Sequence, residues 1–190
     1  PRKGHPATMH LYWAPRPLAA ARGVLFAQLV DDPSSRPEEF PTPALQDAER
    51  TRLHALLGEL VKWENTSNQD LLERARVEIR KSMGDGPIRF LDPFSGGGAI
   101  PLEAQRLGLD AHGSDLNPVA VLKTMGLIDI PPRFAGAEPV HPEASSRTTA
   151  WLRAEGLAED VRRYGAWMRD QAFERIGDRY PKVTAAGGTE

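Results

Sequence analysis

The feature that most constrains this chain is the run Asp92-Pro93-Phe94-Ser95-Gly96-Gly97-Gly98 together with its flanks. The apolar stretch Ile88-Arg89-Phe90-Leu91 leads into it and reads as a buried strand. The amphipathic stretch from Ala99 to Leu107 follows and reads as a helix, closed by Gly108. Three glycines therefore sit in a strand-to-helix turn, where the backbone can approach a ligand closely. A second short strand, Asp110 to Asp115, ends on an acid 17 residues beyond Gly98.

That spacing is what a Rossmann-like nucleotide pocket needs. The details differ from a dinucleotide site, however. Asp92, at the strand end, repels a pyrophosphate and suits a ligand with a cationic ammonium and no phosphate. S-adenosylmethionine is such a ligand: its amine would meet Asp92 or nearby carbonyls, and its ribose hydroxyls would meet Asp115. The bland alternative is a glycine-rich turn that merely caps a structural helix. The preceding acid, Phe94, the following helix and the spaced second acid together favour a ligand site.

The rest of the chain reads as helices and connections. Pro17 opens a helix over Leu18 to Val30 that is almost wholly apolar and so expected to be buried. Thr42 and Pro43 start a second helix, with Leu45, Leu53, Leu56, Leu57, Leu60 and Val61 expected on one face. Ser67 and Asp70 have capping-box spacing for a third, which carries Leu71, Leu72, Ala75 and Ile79. Gly84-Asp85-Gly86-Pro87 is a turn, and Asn117-Pro118 starts another helix. Ile130 to Thr149 reads as a proline-studded loop. A final helix spans about Leu157 to Ile176, with Leu157, Val161, Tyr164 and Met168 at helical spacing. The expected organisation is a helical N-terminal region over 1–83, a cofactor-binding unit with a C-terminal helix over 84–183, and a disordered tail over 184–190.

Composition excludes several classes. No cysteine is present, so neither disulfides nor thiolate zinc sites can form. The net charge of −2 gives the whole chain no strong pull on nucleic acid, and Arg2 and Lys3 are too short a basic start to make a patch. No run approaches the roughly 20 apolar residues that span a bilayer. A soluble, cytoplasmic protein is the default. His5 and His10 lack a neighbouring acid, so no metal site is expected. The arginines of the last helix, Arg162, Arg163, Arg169 and Arg175, lie among acids and read as a solvated face, while Tyr164 and Trp167 read as core or docking residues.

Asp92-Pro93-Phe94-Ser95-Gly96-Gly97-Gly98 resembles motif I of amino-group DNA methyltransferases, D-P-F-x-G-x-G. Gly113-Ser114-Asp115-Leu116-Asn117-Pro118 resembles their second cofactor motif, and Arg16-Pro17-Leu18 the tail of their motif X. With Gly4-His5-Pro6, Trp13-Ala14-Pro15, Trp63-Glu64-Asn65-Thr66 and Ile130-Pro131-Pro132-Arg133-Phe134-Ala135-Gly136, the chain up to about Tyr180 resembles the N-terminal part of the large adenine-specific DNA methylases with a zinc ribbon. The resemblance implies an α/β, partial Rossmann-like methyltransferase fold with a helix-rich N-terminal extension. It also implies S-adenosylmethionine as cofactor, held by Asp92, Pro93, Phe94, Ser95, Gly96, Gly97, Gly98, Asp115, Leu116 and Asn117. Trp13, Arg16 and Pro17 would flank it, although Trp13 reads equally well as a buried packing residue.

Two departures limit the analogy. The catalytic tetrapeptide (D/N)-P-P-(Y/F), which holds the target amine and stacks on the flipped base, is missing. Ile130-Pro131-Pro132-Arg133 lacks both its polar and its aromatic residue and reads as a helix stop and loop. No zinc ribbon is possible without cysteine. With only two convincing strands and no initial methionine, the chain reads as the cofactor half of a longer or split enzyme. It has no catalytic residue of its own and needs a missing region or partner subunit to reach DNA. The rival readings are part of an RNA methyltransferase acting on a guanine amine, or a non-catalytic cofactor-binding subunit.

Overall fold

The structure, a computed structural model, describes residues 5–144 and 150–180. The tail expected over 184–190 and the basic pair Arg2 and Lys3 lie outside the described residues. The protein is mixed α/β and rich in helix, with one small parallel sheet. It divides into two compact units, Pro1–Ile130 and Pro131–Glu190.

The first unit contains helices α1 (Leu18–Leu29), α2 (Pro43–Leu60) and α3 (Gln69–Met83), then β1 (Arg89–Asp92), α4 (Ala99–Arg106), β2 (Asp110–Gly113) and α5 (Pro118–Thr124). β1 and β2 run parallel in the register Arg89 to Asp110 through Asp92 to Gly113. They form the two-stranded sheet that the hydrophobic pattern predicts. Phe90 and Ala111 pack against a core built from Phe26, Leu56, Leu60, Leu72, Ile79, Ala104 and Leu107. The helical region over 1–83 and the following strand-helix-strand segment therefore share one core. On the other sheet face Leu91 and His112 are exposed among the described residues of this unit, so the strand read as buried over Ile88 to Leu91 is covered there on one side.

Several expectations need correction. α1 is not buried all round: Leu18, Arg22 and Phe26 face inward at helical spacing, whereas Val24 is exposed. On α2 the buried stripe is Leu53, Leu56 and Leu60. Leu45, in the first turn, and Val61, past the last one, are exposed. Thr42 caps α2 as expected, accepting from the Leu45 amide. α3 is capped by Asn68 rather than through Ser67 and Asp70, since the Asn68 side-chain carbonyl reaches the Leu71 amide at 3.1 Å. Its expected inner face of Leu71, Leu72, Ala75 and Ile79 is buried. Ile130–Arg133 is a helical turn, α6, not a loop, and it follows a π turn at Met125–Asp129. A π turn leaves carbonyls unmatched, so the missing N–H groups of Pro131 and Pro132 cost little there.

Arg22 and Glu103 form a buried ion pair at the centre of this unit, with side chains 1% and 0% exposed. Arg22 Nε donates to Glu103 Oε2 at 2.6 Å, and Nη2 donates to Oε1 at 3.2 Å. Nη1 donates to the Leu60 carbonyl at 2.7 Å, and Nη2 also reaches Thr66 Oγ1 at 3.3 Å. Arg106 donates to the same carboxylate. One guanidinium thus ties α1 to the end of α2, to the loop before α3, and to α4.

In the second unit the loop before α7 (Glu155–Ile176) packs back on that helix. The Asp160 carboxylate accepts from the amides of Val140 and His141 at 2.9 and 2.8 Å. The His141 ring meets Tyr164 edge-on at 4.8 Å. Arg162 and Arg163 hydrogen-bond Glu159 and hold its carboxyl down at about 2. Tyr164, read with Trp167 as a core or docking residue, is exposed apart from this ring contact, and Val161, Trp167 and Met168 are exposed as well.

Replacing Arg22 by Met leaves the buried Glu103 carboxylate with Arg106 as its remaining cation and is expected to cost about 3 kcal/mol of unfolding free energy. Adding Glu103→Leu is expected to recover most of that loss. Urea unfolding of the two variants beside the parent checks both statements.

Candidate functional site

The candidate site lies where β1 and β2 end. The strand ladder continues past Asp92, as the Ser114 amide donates to the Asp92 carbonyl and the Ser95 amide to the Ser114 carbonyl, both at 2.9 Å. This brings the glycine turn beside the Asp115 loop. Asp115 then clamps the two together: Oδ2 accepts from the Gly96 amide at 2.8 Å and Oδ1 from the Asn117 amide at 2.9 Å. These amide hydrogen bonds, from Asn117 first and then Gly96, pull the Asp115 carboxyl below its ordinary value. Asn117 in turn caps α5 by accepting from the Val119 amide.

Gly98 is the N-cap of α4, with φ at +74°. A Cβ there would come within 3.0 Å of Leu127 Cδ1 and Thr124 Oγ1, so both conformation and space demand glycine. Ser95 is buried, its hydroxyl 3.2 Å from the Thr124 hydroxyl. Asp92 Oδ1 accepts from the Phe94 amide at 3.0 Å. Its other oxygen, Oδ2, is buried without a hydrogen-bond partner. An unpaired buried acceptor normally costs about 1–3 kcal/mol, which calls for an explanation.

The residues expected at the site separate into groups. Asp92 to Gly98 and Asp115 to Asn117 come together. Phe94 and Leu116 project into solvent, Leu116 at 98% exposure. Trp13 is 87% exposed, which removes the buried packing reading. It lines a cleft of about 230 Å³ with His10, Leu11, Tyr12, Asn117 and Val119. Arg16 is exposed, and Pro17 is the N-cap of α1, where the Ala21 amide meets its carbonyl.

Two site residues escape sequence reasoning. Tyr12 lies over the turn: a Cβ on Gly96 would sit 3.2 Å from Tyr12 Cε1, and one on Gly97 would sit 3.4 Å from Tyr12 Cβ. Lys123 is 7% exposed and donates to the His10 carbonyl at 2.8 Å. Burial lowers the Lys123 pKa. The signal for Lys123 lies in helical phase, since Ala120, Lys123, Thr124 and Leu127 share one face and put a cation at a core position. Tyr12 left only its place in a proline-flanked aromatic pair.

Among the described residues no group of His, Asp and Glu side chains is placed to hold a metal ion. No helix among them is long and apolar enough to cross a membrane. Residues 1–56 match the family described as a protein of unknown function, DUF1156. The match covers the segment over the glycine turn, α1 and most of α2, and stops before the turn itself. No curated protein and no solved structure matches the chain.

Because the Asp115 carboxyl is lowered in the folded protein, its clamp is fully present above the ordinary aspartate value of 3.8 and is lost as pH falls through the lower folded value. The amide proton resonances of Gly96 and Asn117 are expected to titrate together with a midpoint below 3.8. Independent or higher midpoints in an NMR titration would remove Asp115 from its bridging role. Gly98→Ala is expected to lose at least about 1–2 kcal/mol, read by thermal unfolding.

Proposed function

We propose that this chain is the cofactor-binding portion of an S-adenosylmethionine-dependent DNA methyltransferase of the adenine-N6 type. The observation that carries the reading is Asp92 Oδ2, a buried carboxylate oxygen without a partner at the head of a glycine turn. A carboxylate in that place attracts a cation and repels a phosphate, so an ammonium-bearing ligand fits better than a nucleoside diphosphate. S-adenosylmethionine carries an ammonium, a ribose diol and an adenine, and when bound it supplies an electrophilic methyl sulfonium.

The donor set suits that ligand in kind. Asp92 is the anchor for the ammonium. Asp115 spends one acceptor site of each oxygen on a backbone amide and keeps room for a ribose hydroxyl. The glycines keep side chains away from the path between the two acids. Trp13 and Val119 give the neighbouring cleft apolar surface for an adenine ring.

The remaining parts of a Rossmann-like methyltransferase lie outside this reading of the chain. A parallel sheet is normally covered on both faces, and here one face and its Leu91 are open. The tetrapeptide that holds the target amine is missing from the sequence. Base extrusion, amine orientation and DNA contact accordingly belong to a further segment or subunit. The role of this chain is to hold the donor in register, an approximation effect.

Calorimetric titration of S-adenosylmethionine onto the chain tests the reading. Saturable binding is expected, weakened roughly tenfold to a hundredfold by Asp92→Asn, which keeps the shape and removes the charge. Equal affinity in parent and variant would disconnect Asp92 from the ligand. A ligand that binds S-adenosylmethionine's site but lacks the amine should be indifferent to the substitution.

A further inference from the structure

The segment Met9 to Trp13 crosses the glycine turn and is fastened there by contacts from three places. Lys123 reaches it from α5, with Nζ donating to the His10 carbonyl at 2.8 Å. The same ammonium lies 5.9 Å from the centroid of the Tyr12 ring, within cation–π range. Met9 rests on Gly126, where a Cβ would come within 3.2 Å of its sulfur. Tyr12 itself covers Gly96 and Gly97, the two glycines whose open faces would otherwise admit a ligand. The flanking side chains are not held down, since Leu11 and Trp13 are exposed.

The pattern is that of a strap held at a few points, with Lys123 as its buried polar fastening, not of a segment packed into a core. Residues 9–17 contain no helix or strand, so few backbone hydrogen bonds resist their movement. Among the described residues, a polar anchor for this stretch is a cation brought in from a residue 113 positions away. The residue that the strap lays on the glycines is the one a ligand must displace.

We infer that Met9 to Trp13 is a gating strap, latched by Lys123, which occludes the glycine turn in the free protein and must shift before a ligand can lie along it. Lys123 is thus a positioning residue that acts through the strap, and its ammonium also lies beside the turn, 3.5 Å from where a Cβ on Gly97 would sit. The consequence for binding rests on the cofactor reading given above, whereas the latch does not. If the closed strap dominates in the free protein, apparent affinity is reduced by the fraction of open molecules. Breaking the latch raises that fraction. Loss of one charge-assisted hydrogen bond corresponds to roughly a tenfold gain in open molecules.

The chain has no cysteine, so Leu11→Cys offers one attachment site for a nitroxide spin label at an exposed position of the strap. The label is compared in the parent background, with Lys123→Met, and with Tyr12→Leu. Unlabelled versions of the same proteins are titrated with S-adenosylmethionine, and circular dichroism confirms that each is folded. Both substitutions are expected to increase label mobility without ligand and to tighten S-adenosylmethionine binding roughly tenfold. Unchanged mobility in folded Lys123→Met would overturn the latch. Increased mobility with unchanged or weaker binding would overturn the gate and make the strap a fixed wall. If neither parent nor variants bind at millimolar ligand, the cofactor reading fails, and the mobility comparison still decides the latch. Binding by the variants but not by the parent would support the gate most directly.

Discussion

Everything in the first unit is hung on the charge pair between Arg22 and Glu103. Neither group can be left alone where it is, because each is shut off from water. Their bond joins α1 to α4, the helix that the glycine turn opens into. The same guanidinium closes off the free carbonyl end of α2 at Leu60 and fixes the Thr66 loop. Orientation of α4, and with it the direction in which the turn presents its amides, follows from a polar contact inside an apolar core. Such a contact adds little net stability compared with well-packed leucines. Its effect is to exclude other ways of stacking four helices that are each apolar along one stripe.

A second carboxylate does comparable work at the surface. Asp115 takes an amide from the turn and another from its own loop, so the two segments that would grip opposite ends of a ligand move as one piece. Asp92 differs from Asp115 in that one of its two oxygens is buried and accepts no hydrogen bond, whereas both oxygens of Asp115 accept one. Two acids that look alike in sequence are thus set apart by their backbone environment. One is a structural tie between two loops, and the other has one carboxylate oxygen buried without a hydrogen-bond partner.

Local features were legible in the sequence and distant pairings were not. The two strands, the glycine turn, the Thr42 and Asn117 caps and the inner face of α3 depend on residues within a few positions of one another. Apolar period and cap chemistry are enough to find them. Arg22 was hidden in a run read as apolar, because its burial requires Glu103, 81 positions away. Tyr12 and Lys123 were hidden for the same reason. Trp13 carried two readings in the sequence, pocket wall or buried packing residue, and its exposure at the cleft lining removes only the second. The proline pair at Pro131 and Pro132 was taken for a break because the π turn that accommodates it has no strong sequence signature.

The span of 113 residues between His10 and Lys123 has a kinetic meaning. β1, α4 and β2 are neighbours in sequence, and their pairing closes only a short loop. The contact between strap and α5 closes a far longer one, and it can form only after the core has set the position of α5. The strap contact is in this respect a local one, which can open while the sheet and the helices of the first unit stay formed.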